Sequence, residues 1–378
     1  MNNADLALSG LTLLPDGSII EAAIQISRGS ITQVSAGGDP KADLVTGGTI
    51  VPGFIDMQLN GAFGYDFTTD GSTVAAVAQR LPATGVTAFM PTVITSPFGV
   101  YPVRLREVAE AIRIANGAQP LGLHLEGPYI NPVRRGAHDP AYMRPIDVEE
   151  MLNWADPAVV RIVTLAPELP GAMDAIRALR RSGILVSIGH TNATFGEALA
   201  GFEAGAGWGT HLFNAMSALH HREPGVPGAI FASTIPCGLI ADGIHTHPAM
   251  VELAYRVKGP AGITLVTDAM EAMGMPPGSY RLGDREVRVT EERAELIDGT
   301  LAGSILEMDA AVRNVMAFTG CSLAQAVTMA TRTPARVLGL ERKGAIAAGY
   351  DADLVILDPS LQVSSTFIGG KLVYHRES

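Results

Sequence analysis

Short apolar segments alternate with amphipathic stretches from about residue 50 to about residue 339. Apolar runs bounded by turn residues are typical of strands buried on both faces, and they occur at residues 50–55, 86–90, 121–125, 160–165, 184–188, 208–210, 238–241 and 263–266. Apolar residues three and four positions apart predict helices between them, for example at 72–81, 103–114, 172–181, 195–204 and 248–257. This alternation predicts a closed (β/α)8 barrel of the TIM type, with an open doubly wound sheet as the alternative.

The two ends of the chain follow a different pattern, with polar and apolar residues alternating in period two. Strands are predicted at residues 6–14, 19–27 and 31–34, and again at 353–357, 363–368 and 371–374. Residues 276–304 read as a hairpin over one barrel face, followed by helices at 308–318, 323–331 and 334–338. We therefore expect an α/β protein with a barrel at residues 50–344 and a small β domain built from residues 1–49 and 345–378.

Composition narrows the class of protein. With 47% hydrophobic and 17% charged residues, the chain of 378 residues can bury a large core. Its formal charge of -11 includes no basic stripe, which argues against binding to nucleic acid. Two cysteines, Cys237 and Cys321, lie in apolar surroundings and cannot form a disulfide framework. Because export and membrane signals are also missing from the pattern, we expect a cytoplasmic protein with no membrane partner.

Ionisable residues directly follow several predicted strands. Glu126 follows the third strand, His190 the fifth, His211 the sixth and Asp268 the eighth, and His245 comes shortly after the seventh. Active sites of barrels lie at this end of the strands, so these side chains should share one rim. Each histidine taken alone is more often a hydrogen-bonded core or loop residue than a metal ligand, but burying so many ionisable groups together is costly without a function.

The residue types indicate metal-assisted hydrolysis. Glu126, His190 and His211 make a three-ligand site for Zn²⁺ or a similar divalent ion, with a position left open for water. Asp268 is placed to take a proton from that water and return it to a leaving amine, although a helix N-cap is its structural alternative. His124 shares a strand face with Glu126 by alternation, and its role stays open.

A family resemblance follows from motifs that occur in order along nearly the whole chain. They are PGFIDMQLNG (52–61), HLEGP (124–128), GHTNAT (189–194), THLFNAM (210–216), ADGIH (241–245), TDAM (267–270) and DGTLAGS (298–304). Together they resemble the N-acetylglucosamine-6-phosphate deacetylase family of the amidohydrolase superfamily. The resemblance implies a barrel with a β-sandwich made from both termini, a homodimer, and hydrolysis of the acetamido group of that sugar phosphate to glucosamine-6-phosphate and acetate.

The resemblance also implies roles for individual residues. It assigns the metal to Glu126, His190 and His211, and the acid and base role to Asp268. The substrate-binding residues that it implies are His138 near the acetamido carbonyl, His245 on the sugar, Asn214 and Ala215 at the phosphate, and Arg222 reaching the phosphate from the neighbouring subunit. A guanidinium suits a phosphate dianion in an otherwise acidic protein.

One position departs from the wider superfamily. Many amidohydrolases hold a second metal with His-x-His after the first strand, whereas this chain has Gln58 and Asn60 there. Amides are poor zinc ligands, and the sequence resembles the single-metal branch of the family, which implies one metal per chain, with Zn²⁺ first and Fe²⁺, Mn²⁺ or Co²⁺ as alternatives. Gln58 and Asn60 are then candidates for lining the pocket, and Gln58 could instead form a hydrogen bond with the water. The following loop, residues 62–66, has no assigned role.

Two other functions stay open at this point. An amidohydrolase of other N-acyl or cyclic amide substrates would not need Arg222 or the turn at Asn214 and Ala215. A barrel that has lost catalysis and serves as a binding protein should first lose its ligands or its base, and this chain retains Glu126, His190, His211 and Asp268.

Overall fold

Eight parallel strands form the centre of the protein in the computed structural model, which describes residues 5–377. The barrel strands are Phe54–Leu59, Val86–Ile94, Leu123–Glu126, Val160–Leu165, Leu185–Ile188, Trp208–Gly209, Cys237–Leu239 and Ile263–Leu265, with Gln119–Pro120 as a short addition beside the second. Neighbours in the chain are neighbours in the sheet, and a parallel bridge between Leu59 and Ala269 brings the last strand against the first. The predicted (β/α)8 barrel is confirmed, and the open sheet is wrong.

The first barrel strand begins later than predicted. Residues 50–52 belong instead to the terminal strand Leu44–Pro52, and the barrel strand Phe54–Leu59 follows after Gly53. A Cβ atom at Gly53 would lie 2.1 Å from Thr87 Oγ1, so only glycine allows the second barrel strand to approach here. The prediction of a strand at residues 50–55 merged two strands, because both are apolar and only Gly53 separates them.

Helices surround the barrel and pack their apolar faces against it. They span Val74–Arg80, Tyr101–Ile114, Val148–Trp154, Ala172–Arg181, Phe195–Ala204, Gly225–Phe231, Pro248–Lys258, Met308–Thr319, Leu323–Ala330 and Arg332–Val337. Val148–Trp154 and Gly225–Phe231 were not predicted, since both are short and the second begins with glycine, valine and proline. Across residues 5–377, no helix has the length and apolarity that a membrane crossing requires.

Strands from the two ends of the chain form one seven-stranded sheet. Its order is Lys371–His375, Val363–Ile368, Leu354–Leu357, Leu44–Pro52, Leu6–Leu13, Ile19–Ser27 and Ser30–Ala36. The sheet curls back on itself, because Ser30 forms a bridge with Asp351 and Ala352 donates to Gly29 O at 2.9 Å. Its inner face buries an apolar cluster of its own. A small β domain from both ends is confirmed; the bounds predicted for it stay a prediction, and residues 1–4 and 378 lie outside the described part.

The segment after the eighth strand lies beside the rim of the barrel. It contains three antiparallel strands, Gly278–Leu282, Arg285–Val289 and Ala294–Leu296, rather than the two of the predicted hairpin. The loop at residues 62–66 now has a structural role. It forms a small hairpin of Gly61–Ala62 and Tyr65–Asp66, and Asp66 Oδ2 accepts a hydrogen bond from Gly283 N at 2.9 Å. This contact fixes the three-stranded segment against the barrel.

Candidate active site

Four ionisable side chains meet at the carboxyl ends of the barrel strands, and we call them the rim cluster: Glu126, His190, His211 and Asp268. Glu126 ends the strand Leu123–Glu126, and the other three residues stand in the connections that directly follow the fifth, sixth and eighth strands. All four are buried to 9% exposure or less. The strand-end prediction therefore places these side chains correctly.

The backbone at three of these residues is left-handed. The φ angle is +48° at His190, +26° at His211 and +48° at Asp268. For a residue with a Cβ atom this region costs about 1 to 3 kcal/mol, and such strain is concentrated at functional sites. Each strand therefore ends in a sharp turn that directs its side chain toward the barrel axis.

The carboxylate of Glu126 lies between the two histidines. Its Oε1 atom is 3.2 Å from His190 Nε2 and 3.1 Å from His211 Nε2, and the two nitrogens are 3.1 Å apart. His190 Nδ1 donates to Arg134 O at 3.0 Å, so in a neutral ring the lone pair of Nε2 faces the carboxylate. Atoms bearing lone pairs repel at these distances unless a cation or a proton lies among them.

This donor set fits a divalent metal ion. One carboxylate oxygen and two imidazole nitrogens are ligands that zinc and similar ions take, and three protein ligands leave a position open. Although burial opposes ionisation, the hydrogen bonds and charges of His190 and His211 hold the pKa of Glu126 well below its usual range. The acid is therefore ionised, as a ligand must be.

His138 also reaches this group, but its tautomer differs. Glu126, His138 and His190 can bring one atom each within 4.8 Å of the others, and His138 Nε2 lies 3.8 Å from Glu126 Oε2. However, Thr95 N donates to His138 Nδ1 at 3.3 Å, so in the neutral ring Nε2 carries the proton. Burial, followed by the charge of His190, holds the pKa of His138 well below its usual range. His138 is therefore a hydrogen-bond donor toward the cluster, while His211 is the better placed third ligand.

Asp268 is held by two side-chain amides. Its Oδ1 atom accepts from Gln58 Nε2 at 3.0 Å and from Asn60 Nδ2 at 2.8 Å. Gln58 Nε2 also donates to Glu126 Oε1 at 2.9 Å. Burial and then the negative charge of Glu126 raise the pKa of Asp268. A carboxylate with a raised pKa is the stronger base, and its proton can still pass to a leaving nitrogen, which is more basic. Asp268 is therefore suited to work first as a base and then as an acid.

A cavity of about 320 Å³ opens onto the rim cluster. Its walls include Asn60, Glu126, His138, His190, His211, Asn214, Ala215, His245 and Asp268, so it collects most of the predicted site residues. His245 Nδ1 is 2.6 Å from Asp242 Oδ2, a contact that orients the ring. Arg222 is exposed and lines a separate surface groove, and therefore this chain does not bring it to its own cavity.

Comparison with known proteins decides the family. The amidohydrolase family model matches residues 49–373. The N-acetylglucosamine-6-phosphate deacetylase of Bos taurus is 45% identical over 88% of this chain and 85% of its own length, and that of Lysinibacillus sphaericus is 40% identical over 95% and 92%. This chain belongs to the N-acetylglucosamine-6-phosphate deacetylase family of amidohydrolases.

Solved structures of the deacetylase family agree with the fold. A variant of the enzyme from Mycobacterium smegmatis, in complex with N-acetyl-D-glucosamine-6-phosphate, superposes with a TM-score of 0.93 at 34% identity, covering 98% of this chain and 100% of that one. The enzyme from Thermotoga maritima gives a TM-score of 0.90 at 34% identity over 97% and 98%. A dihydropyrimidinase at 14% identity and a TM-score of 0.64 shares the fold alone.

His124, whose role the sequence left open, does not join the rim cluster of this deacetylase-family chain. Its Nε2 atom lies 2.7 Å from Thr164 Oγ1 and its Nδ1 atom 3.4 Å from Thr92 Oγ1. Thr164 in turn contacts Thr210, and Thr210 contacts Ser187, at 2.9 and 2.5 Å between their hydroxyl oxygens. Burial lowers the pKa of His124 to about 4. We call His124, Thr164, Thr210, Ser187 and Asp56 the interior layer, because all are buried inside the barrel.

Sequence reasoning missed several residues that shape the site. Arg134 lines the cavity and holds His190 through its carbonyl oxygen, while Thr95 and Asp242 fix the rings of His138 and His245. Asp242 lies within the ADGIH motif, which could have pointed to it. No sequence motif around Thr95 or Arg134 indicates a role in the site. Both act through backbone groups, and their partners His138 and His190 are distant in sequence.

Ser304, at the end of the DGTLAGS motif, supports Asp268 from the backbone. Ser304 N donates to Asp268 O at 2.8 Å, and Ser304 Oγ donates to Thr267 O at 2.5 Å. A parallel bridge also joins Ala269 to Ser304. The sequence alone assigns this motif no role, and the structure shows that Ser304 holds the chain beside Asp268.

Proposed function

We propose that this protein hydrolyses the acetamido group of N-acetylglucosamine-6-phosphate, giving glucosamine-6-phosphate and acetate, with one divalent metal ion per chain. The single observation that supports it most is the joint placement of Glu126, His190, His211 and Asp268 around one cavity in a chain of this family. Glu126, His190 and His211 would hold the ion. Zn²⁺ is the first choice for a carboxylate and two imidazoles, with Fe²⁺, Mn²⁺ and Co²⁺ as alternatives. When bound, such an ion supplies Lewis acidity, which lowers the pKa of water and polarises a carbonyl group.

Asp268 carries the proton in this proposal. As water adds to the amide carbonyl carbon, Asp268 takes one of its protons, and the C–N bond then breaks as the same proton passes to the leaving nitrogen. His138 supports the addition, because its Nε2–H group can donate to the carbonyl oxygen as negative charge develops there. The products are the free amine and acetic acid, which keeps the second proton of the water until it ionises to acetate. Asp268 ends in the ionised state in which it began.

His245 and Asp242 give the cavity an acceptor for the sugar. With Nδ1–H donating to the Asp242 carboxylate at 2.6 Å, the neutral ring of His245 presents the lone pair of Nε2. Asp242 also accepts from the backbone N–H groups of Ile244 and His245, each at 2.8 Å, which fixes the carboxylate itself. A sugar hydroxyl is a suitable donor to this nitrogen.

The phosphate would be bound at the turn that follows His211. Asn214 N is already bonded to His211 O at 3.0 Å, whereas among residues 5–377 no acceptor contacts the Ala215 N–H group. Ala215 has a φ angle of +49° and lines the cavity, so its N–H group can donate to a phosphate oxygen. Arg134 supplies a cation from the same chain, and we propose that Arg222 supplies one from the second subunit of a homodimer.

Acetate release by purified protein of known metal content tests the proposal. N-acetylglucosamine-6-phosphate and unphosphorylated N-acetylglucosamine are offered in parallel, and rapid release from the phosphorylated sugar alone, at about one metal per chain, is expected. Folded, metal-loaded protein that releases no acetate would rule the activity out and lead to a panel of other N-acyl and cyclic amides.

Replacement of Arg222 by Ala separates the subunit proposal from the chemistry. We expect a higher KM for the phosphorylated sugar and no change in the slow release from an unphosphorylated one, because a guanidinium contributes only where a phosphate is present. Mixing Arg222→Ala with Asp268→Asn should restore activity if the arginine acts across the interface, since one of the two sites in a mixed dimer is then complete. No recovery on mixing would place Arg222 outside the partner's site. We also propose that residues 50–344 form the catalytic domain and that the protein is cytoplasmic.

A further inference from the structure

The side-chain amide nitrogens of Gln58 and Asn60 both donate to carboxylates of the rim cluster. Both residues are buried, at 0% and 2% exposure, and both belong to the segment that includes the first barrel strand. Their amide nitrogens converge on Asp268 Oδ1, at 3.0 Å from Gln58 and 2.8 Å from Asn60. The orientation of each amide follows from its partners, since a carbonyl oxygen turned toward the carboxylate would be repelled.

The two oxygens of Asp268 therefore differ. Oδ1 accepts two hydrogen bonds from neutral donors, whereas within residues 5–377 no protein group donates to Oδ2. Asp268 lines the cavity, so the free oxygen is the one that can meet a bound molecule. Each hydrogen bond to Oδ1 also stabilises negative charge on that atom and makes it the weaker proton acceptor of the two.

The backbone keeps these groups in register. Asp268 N donates to Gln58 O at 2.9 Å, and Asn60 N donates to Ala269 O at 2.8 Å. These bonds join the first strand to the last and close the barrel beside the site. Asn60 cannot move relative to Asp268 without breaking that closure, so the amide positions are determined by the barrel itself.

We propose that Gln58 and Asn60 are positioning residues that hold Asp268 by Oδ1, so that Oδ2 is the oxygen that takes the proton from water and returns it to the leaving nitrogen. This inference rests on the proposed hydrolase function. Asn60 is the more diagnostic of the two, because Gln58 also donates to Glu126 and its loss would disturb the metal ligands.

The test replaces Asn60 with Leu, which keeps the branched shape of the side chain and removes the donor. We expect kcat to fall by between about tenfold and about a hundredfold, with KM changed by less than about threefold, since the lost bond acts on the proton carrier rather than on substrate binding. The acid limb of the kcat profile should move to higher pH, because an anion that loses a donor is protonated more easily. Metal content should stay at the wild-type value, and a crystal structure should show the Asp268 carboxylate rotated away from its present position.

Asn314→Leu is the matched control. Its Nδ2 atom donates to Ala241 O at 2.9 Å, away from Asp268, so the same chemical change should leave kcat and the pH profile unaltered. If Asn60→Leu does not fold, Asn60→Ala is measured in its place. Wild-type kcat and an unshifted pH profile in a folded Asn60 variant overturn the inference while the hydrolase function stands. Absence of acetate release from the wild-type protein removes both.

Discussion

The rim cluster and the interior layer are both buried polar groups inside one barrel, yet they differ in how their atoms are paired. In the interior layer, the ring nitrogens of His124 contact the hydroxyls of Thr164 and Thr92, and Asp56 accepts from Thr267 Oγ1 at 2.5 Å. In and around the rim cluster, Gln58 Oε1, Asn60 Oδ1 and His211 Nδ1 are buried without a partner. Burial of a histidine or an acid therefore does not by itself indicate function. At the rim cluster, burial is accompanied by unpaired polar atoms and by left-handed backbone at His190, His211 and Asp268, and this combination does indicate function.

Removal of the metal should have the largest effect on the rim cluster. Dialysis against a chelator is expected to reduce acetate release to background and to lower the melting temperature, because an ion bound only by the folded state stabilises it. Addition of a divalent ion should restore both properties. His211→Ala should reproduce the loss permanently. Full activity at less than about one tenth of a metal per chain would show that the rim cluster works without an ion.

Asp268→Asn should give the next largest effect. We expect kcat to fall by about 10² to 10⁴, the usual contribution of a proton-transferring group, with metal content unchanged. The melting temperature should stay the same or rise, because the substitution removes a buried negative charge beside Glu126. A variant that retains more than about a tenth of wild-type kcat would assign the proton transfer to another residue.

His124→Ala tests the interior layer, where we expect a loss of stability with little change in kcat. Loss of the contact with Thr164 and of packing against Trp208, whose ring centre is 6.1 Å away, should destabilise the protein by about 2 to 4 kcal/mol. The kcat of the folded protein should stay within about threefold of wild type. His190→Ala is the matched variant in the rim cluster, where we expect loss of metal and activity. A large fall in kcat for folded His124→Ala would erase the distinction between the two groups.

Asp56 should produce the smallest effect, visible as a pH dependence of stability. Burial raises the pKa of Asp56 to about 7, despite the hydrogen bonds from Thr267. Because the folded state then holds a proton that the unfolded state releases near pH 4, the stabilisation is full below about pH 4 and is lost as the pH rises through about 7. Denaturant unfolding at pH 5 and at pH 8 should show a loss of about 1 kcal/mol or more in wild type. Asp56→Asn should reduce this difference, and the part that remains comes from other buried acids with a raised pKa, such as Asp268. An equal difference in both proteins would assign it to another group.

The sequence was sufficient for the barrel and for the positions of the rim cluster. Strand after strand ends in an ionisable residue, and parallel strands of a barrel bring those ends together, so Glu126, His190, His211 and Asp268 could be placed without coordinates. The roles of individual residues stay predictions. The separation of Leu44–Pro52 from Phe54–Leu59 was missed, because a break at Gly53 carries little signal between two apolar runs.

Pairings between distant side chains could not be predicted. Gln58 meets Asp268 across 210 residues and Glu126 across 68, and neither partner affects the local pattern around Gln58. The tautomer of His138 depends on the backbone N–H group of Thr95, which any residue type except proline would supply. Such contacts are set by how the barrel closes, which residue spacing alone does not describe.

The curled terminal sheet has a consequence for biosynthesis. The strand Leu44–Pro52 is paired on one side with Leu6–Leu13 and on the other with Leu354–Leu357. A ribosome releases the first two strands long before the third, so one edge of Leu44–Pro52 stays open while nearly the whole barrel is made. An open edge can pair with another chain, and truncated products that lack residues 354–357 should therefore be the most prone to aggregate.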